Sequence, residues 1–239
     1  MESDFILDLQ RKRSNYSHPD QATSQANSLV LLSSGIYTEE ERFVFELLQN
    51  AVDAHNSNTS CLDVKIMLED DYLIFMHNGE AFTERDIEGL CDVGNGNKMN
   101  DVKKIGYKGI GFKSVFMRSN NVTVQSGGYC FKFDKNHWNN YWDLHWNKSE
   151  YGERDSEKKY SMPWQIIPIE TNPPLEVDVN GYNVITFIQL ARRGSIEQKI
   201  LRLFANNQFL LFLKSDNIKM SFSVDGVLRQ QIEKVKDGS

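Results

Sequence analysis

Glu46, Asn50 and Asp53 stand at i, i+4 and i+7, which on a helix of 3.6 residues per turn places them within roughly 60° of one another. Carboxylates and an amide sharing one stripe are the groups that hold a hydrated divalent cation and take a proton from water. The residues around them, Phe43, Val44, Leu47, Leu48, Ala51 and Val52, are apolar. A helix of that composition must be largely buried, and a buried carboxylate without a partner is costly. Polar residues at helical spacing are usually a solvated face. Such a face tends to carry Lys and Glu pairs, however, whereas this stripe is short, acidic and amide-bearing.

A second chemical element is Ile105-Gly106-Tyr107-Lys108-Gly109-Ile110-Gly111-Phe112-Lys113-Ser114, a glycine loop that opens a helix. Backbone amides at such a place suit phosphate, although glycines also simply make tight turns. A Walker loop needs Lys directly after its last Gly, and Phe112 intervenes before Lys113, turning the lysine by about 100°. Gly94-Asn95-Gly96 lacks a third glycine three residues on, so a dinucleotide fingerprint fails too.

The elements that must position these groups follow from patterning. Thr38 and Glu41 make a capping box for a helix running to about His55. Leu62–Leu68 and Tyr72–Met76 form a hairpin about Glu69-Asp70-Asp71. Thr83 caps a short helix to about Cys91, and residues 92–104 form a loop dense in Gly, Asn and Lys, suited to a lid. A helix at Phe112–Arg118 precedes strands at Val122–Ser126 and Tyr129–Asp134. Residues 137–159, with Trp138, Tyr141, Trp142 and Trp146, have no assignable period and read as an insertion. Further strands are expected near Gln165–Ile169 and Tyr182–Leu190, a helix at Ser195–Phe204, and a closing hairpin over Ile218–Val227 with an Asp225-Gly226 turn.

The chain has 239 residues, a formal charge of −6, and 40% hydrophobic residues, enough to bury roughly three quarters of its unfolded surface as one domain. The acidic balance disfavours direct nucleic-acid binding. Cys61, Cys91 and Cys130 have no zinc or redox spacing. No apolar run reaches about eighteen residues, and no signal-peptide core follows Arg11-Lys12-Arg13, so no membrane role and a cytoplasmic location are expected. Residues 1–27, rich in Ser, Asn and Gln, read as an N-terminal arm or a short helix draped on the domain, with the ordered domain over 28–239.

The order of these segments, Glu46 to Ala54, then Asn78-Gly79 with Phe82, then the glycine loop, then Gly181–Leu190 with Thr186, resembles the GHKL ATPase superfamily. Within it, Ile105–Phe116 (IGYKGIGFKSVF) and Leu210-Leu211-Phe212-Leu213 look most like the sacsin and plant NO VEIN type of chaperone-like ATPase domain. The resemblance implies a Bergerat fold: an α+β, two-layer sandwich with a mixed, mostly antiparallel sheet, helices on one face and an ATP lid. It implies Mg2+ as cofactor and ATP as substrate. Glu46 would be the general base, Asn50 the magnesium ligand, and Asp53 a support for the water shell. Gly106, Gly109, Ile110, Gly111 and Phe112 would wrap the phosphates, helped by Lys98 or Lys113. His77, Asn78, Gly79, Phe82 and Thr186 would surround the base.

One position departs from that pattern: His77 stands where the family usually has an Asp that accepts the adenine amino proton, and a neutral imidazole offers only one acceptor, so Asp53 or a backbone carbonyl is the alternative for that contact. The resemblance further implies partnership with ATP and ADP, downstream domains of a longer polypeptide that contribute a Lys or Arg, and nucleotide-dependent dimerisation. Slow hydrolysis driving a conformational switch is the leading expectation. A non-catalytic nucleotide-binding module and a histidine-kinase-type catalytic domain are the rivals. The latter typically lacks a water-activating Glu at this position, and residues 1–37 are too short for its phosphoacceptor hairpin.

Overall fold

Leu62, Val64, Ile66 and Leu68 alternate with Asp63, Lys65, Met67 and Glu69, and this period of two makes strand β1 (Leu62–Glu69), with its apolar side fully buried. The computed structural model describes residues 2–36, 42–55, 61–92, 111–145, 160–206, 209–210, 213 and 215–235. In it β1 returns as β2 (Tyr72–His77), paired from Glu69 with Tyr72 to Val64 with His77. The later strands are β3 (Asn121–Ser126), β4 (Tyr129–Asp134), β5 (Ile169–Glu170), β6 (Val184–Gln189), β7 (Ile218–Val224) and β8 (Val227–Lys234).

They form one eight-stranded sheet in the order β5-β4-β3-β6-β2-β1-β7-β8. Every pairing is antiparallel except β1 with β7. The sheet is therefore mixed and mostly antiparallel, and the whole is an α+β sandwich. Asp225 and Gly226 at the last turn both have positive φ, 49° and 74°, the twist that a two-residue hairpin requires.

Helices α1 (Glu2–Ser14), α2 (Pro19–Ile36), α3 (Arg42–Asp53), α4 (Glu84–Leu90), α5 (Lys135–His145) and α6 (Gly194–Ala205) complete the described fold. The main core joins Phe43, Leu47, Leu48 and Ala51 of α3, Ile87 and Leu90 of α4, and Ile196, Ile200 and Phe204 of α6 to one side of the strands. Ile74, Met76, Ile185 and Phe187 point the other way, beneath Leu175, Val177, Val179 and Tyr182. Strand alternation thus divides β2 and β6 between two cores, and the site-bearing side is the helical one.

Residues 1–27, expected as an arm or a short helix draped on the domain, form α1 and the first half of α2. Ile6, Leu9, Ala22 and Leu29 are buried in the main core. Thr83 caps α4 with a reciprocal box through Asp86, as its sequence predicts.

Three expectations change. The segment after Gly111 is a 3-10 helix, Phe112–Met117, with i→i+3 bonds such as Ser114 N–H to the Gly111 carbonyl at 3.1 Å. Gln165–Ile169 begins in a 3-10 turn, Trp164–Ile166, and only Ile169 is in a strand, because Pro168 has no N–H for a ladder and leaves β5 only two residues. Residues 135–145 are helical: the Asp134 carboxylate accepts the His137 N–H at 3.0 Å and starts α5. The Thr38–Glu41 cap, the 93–110 loop, Trp146 and the rest of 146–159, and Leu211-Phe212 lie outside the described residues.

Candidate functional site

Phe75 faces Thr186 and His77 faces Val184 across β2 and β6. Residues two apart share a side of a sheet, so these four make a contiguous floor on the helical side. Leu47, Asn50, Asp53 and Ala54 descend from α3 onto it, while Glu80, Ala81, Phe82, Thr83, Asp86 and Leu90 form the α4 wall and Phe112 closes an end. The cavity they enclose is about 110 Å³. A water needs roughly 10–15 Å³ of such space, so the volume suits a multi-atom ligand.

The wall is tied down by the backbone. Glu80 N–H donates to the Ala54 carbonyl at 2.8 Å, joining the end of α3 to the β2–α4 loop. Phe82 N–H donates to Ser126 Oγ at 2.8 Å, and that hydroxyl donates to the Asn183 carbonyl at 3.0 Å. Asn183 Nδ2 in turn reaches the Asn78 and Gly79 carbonyls at 3.3 and 3.0 Å. Ser126 and Asn183 are structural members of the site that sequence reasoning misses, since nothing in their local pattern distinguishes them from other strand-end residues.

The stripe meets Gly111, the residue that ends the glycine loop. A Cβ added to Gly111 would fall on the Glu46 carboxylate, 3.2 Å from Cδ and closer still to Oε2. Glycine at 111 is therefore what lets the last turn of the loop reach Glu46. Gly111→Ala is expected to swing the Glu46 carboxylate aside at a cost of about 1 kcal/mol or less, because the displaced oxygen ends a flexible side chain, measured by urea denaturation; a loss above about 3 kcal/mol would mean that the side chain cannot relieve the contact.

The sequence-predicted residues are placed as follows. Asn50, Asp53, His77, Phe82, Phe112 and Thr186 line the cavity, with Glu46 at Gly111 beside it. Asp53 also accepts from Gln49 Nε2 at 3.3 Å. Asn78 does not face the cavity: its Oδ1 accepts Asp63 N–H at 2.8 Å and its Nδ2 donates to the Cys61 carbonyl at 3.1 Å, so the amide is consumed in holding β1 to the end of β2. Gly79 is a packing position, where a Cβ would lie 2.8 Å from His77 Nδ1 and 3.0 Å from Ala54 Cβ.

Lys113 turns inward, is 4% exposed, and donates to the Leu90 carbonyl at 2.6 Å. Burial pushes its pKa down to about 8. The one-residue offset after Gly111 carries this lysine away from the cavity rather than into it. Lys98, Gly106, Gly109 and Ile110 lie outside the described residues.

Asp53, Glu80 and Asp86 line the cavity, and no Lys or Arg is among the described lining residues. A polyanionic ligand here needs a counter-cation. No three His, Cys, Asp or Glu among the described residues group closely enough to hold a metal by themselves. The donor set is carboxylate and amide oxygen, which fits magnesium that keeps several waters and takes few protein ligands.

His77 is 3% exposed, and burial pushes its pKa from 6.5 down to about 4. The unfolded ring takes up a proton between those two values while the folded ring does not. Stability is thus fully present above about pH 6.5 and falls as pH drops toward 4, by at most roughly 3 kcal/mol. Denaturation of wild type and His77→Gln at pH 7 and pH 4.5 isolates this from the cavity carboxylates: wild type is expected to lose more.

A sheet floor, a polar-striped helix and Gly111 gathered about one cavity define an α+β sandwich with a candidate binding site. The chain belongs to the Sacsin domain family, whose model matches residues 31–199, a span that contains all the candidate site residues. It is 35% identical over 132 residues to Protein NO VEIN of Arabidopsis thaliana, covering 55% of this chain and 5% of that protein. It is 28% identical over 113 residues to Sacsin of Homo sapiens, covering 42% of this chain and 2% of that protein. The chain thus spans a small fraction of the length of both relatives. Among the described residues, no helix is long and apolar enough to cross a membrane.

Proposed function

We propose that this domain binds magnesium–ATP in the cavity between α3 and the β2–β6 floor and hydrolyses it slowly. The observation that carries the reading is the contact of Glu46 with Gly111, which joins the proton-accepting stripe to the end of the glycine loop. Membership of the Sacsin domain family supports it. The base would lie over Phe75, His77 and Thr186, with Phe82 beside it, and the phosphates would extend toward Glu46 and Gly111.

Asn50, through its amide oxygen, and Asp53, through the water shell, would hold the magnesium ion, which neutralises phosphate charge when bound. Glu46 would take a proton from the water attacking the γ-phosphorus, as the bond to the ADP oxygen breaks. No Lys or Arg among the described residues lines the cavity, and a Lys or Arg delivered to the γ-phosphate by another domain would speed turnover. We further propose that the cycle acts as a conformational switch within a longer, chaperone-like polypeptide, with dimerisation coupled to nucleotide.

Calorimetric titration with ATP and ADP, with and without magnesium, tests the reading. Saturable ATP binding that strengthens with magnesium is expected; no heat at millimolar ATP, or binding indifferent to the metal, would overturn it.

A further inference from the structure

His77 is the one ionisable ring on the cavity floor, and its two nitrogens have different fates. Gly79 N–H donates to Nδ1 at 3.2 Å. A nitrogen that accepts carries no proton, so in the neutral ring the proton resides on Nε2. No group among the described residues takes that Nε2 proton, and Nε2 is not among the buried, unpartnered polar atoms. The ring lines the cavity, so its available group there is a donor. The tautomer is held by the fold: Gly79 is packed between the ring and Ala54 with no space for a Cβ.

We propose that His77 reads the base of a bound nucleotide through its Nε2–H donor, so that this cavity accepts 6-oxopurine nucleotides at least as well as adenine nucleotides. The inference rests on the nucleotide reading above. With the phosphates at Glu46 and Gly111 and the magnesium ion at Asn50 and Asp53, the base extends across the floor toward His77. The edge of a purine farthest from its sugar is the N1–C6 edge. Hypoxanthine offers the C6 carbonyl as an acceptor there; adenine offers an amine that His77 cannot satisfy, and must use N1 instead. Thr186, the other polar group of the floor, is a hydroxyl that donates or accepts as needed. Burial keeps the ring neutral down to about pH 4, so the donor pattern holds at physiological pH.

The probes are the triphosphates of adenosine, inosine and uridine, titrated with magnesium into the wild-type chain. Inosine differs from adenosine in carrying a C6 carbonyl and an N1–H where adenosine has an amine and an unprotonated N1. The expected result is inosine triphosphate binding at least as tightly as ATP, with the uridine nucleotide weaker by about tenfold or more. ATP preferred by tenfold or more over inosine triphosphate overturns this inference alone, as does equal binding of all three, which would mean that the base is not read. Failure of every nucleotide to bind removes the inference together with the reading beneath it.

His77→Asp replaces the donor by an acceptor and is expected to shift the preference about tenfold toward ATP. Because that variant buries a carboxylate, a second measurement needs no mutation. Long-range nitrogen–proton correlation spectra of the wild type are expected to show His77 protonated at Nε2; protonation at Nδ1 instead overturns the proposal.

Discussion

Glu46→Ala is expected to lower ATP turnover by about a hundredfold or more, the usual share of a general base, while nucleotide affinity changes by no more than about threefold. The asymmetry follows from position. Glu46 is not among the lining residues that would hold the base or the metal; it lies at Gly111, where the glycine loop ends. Its contribution is thus confined to the transition state. Glu46→Gln separates chemistry from shape, since it fills the same space against Gly111 yet cannot take a proton. Single-turnover assays and calorimetry on both variants provide the check. Turnover retained in Glu46→Gln would remove Glu46 as the base, and turnover unchanged in both with binding intact would mean that the measured ATPase is not this site's, leaving a module that binds without reacting.

Trp138→Ala should be the most damaging single change to the fold away from the site, costing about 3–5 kcal/mol. Trp138 projects from α5, is 1% exposed, and donates its indole N–H to the Ile167 carbonyl at 3.3 Å. Truncation opens a large cavity and leaves that carbonyl without its donor. Ile167 precedes Pro168 and the short β5, which pairs with β4, so the damage should extend to this sheet edge. Urea denaturation measures the loss, with Trp138→Phe recovering much of it. A Trp138→Ala protein as stable as wild type would mean that α5 does not pack on the sheet in solution.

These two residues show how unevenly the chain discloses itself. Glu46 could be singled out because a polar stripe on an otherwise apolar helix violates local expectation, and its spacing alone fixes which residues share the stripe. The β1–β2 hairpin, the Thr83 cap and the Asp225-Gly226 turn were equally readable, because each depends on residues adjacent in sequence. Trp138 could not be assigned: residues 135–145 mix aromatic and polar groups without a clear apolar face, and their helix depends on a cap from Asp134 and on packing against Ile167, which lies 29 residues away.

The sequence by itself therefore determined the class of fold, the helix that carries the stripe, the strands that make the floor, and the family to which the chain belongs. The helix and strands rest on period and capping, which are local quantities, while the fold class and the family rest on the resemblance carried by the motifs and their order. Only the tertiary structure decided which polar groups meet. It turned Lys113 onto the Leu90 carbonyl, spent Asn78 on the backbone of residues 61–63, and brought Gly111 against Glu46, 65 positions earlier in the chain. It also used one nitrogen of His77 for Gly79. A side chain's role depends on what remains of its hydrogen-bonding capacity after the fold has taken its share, and that remainder is set by neighbours distant in sequence.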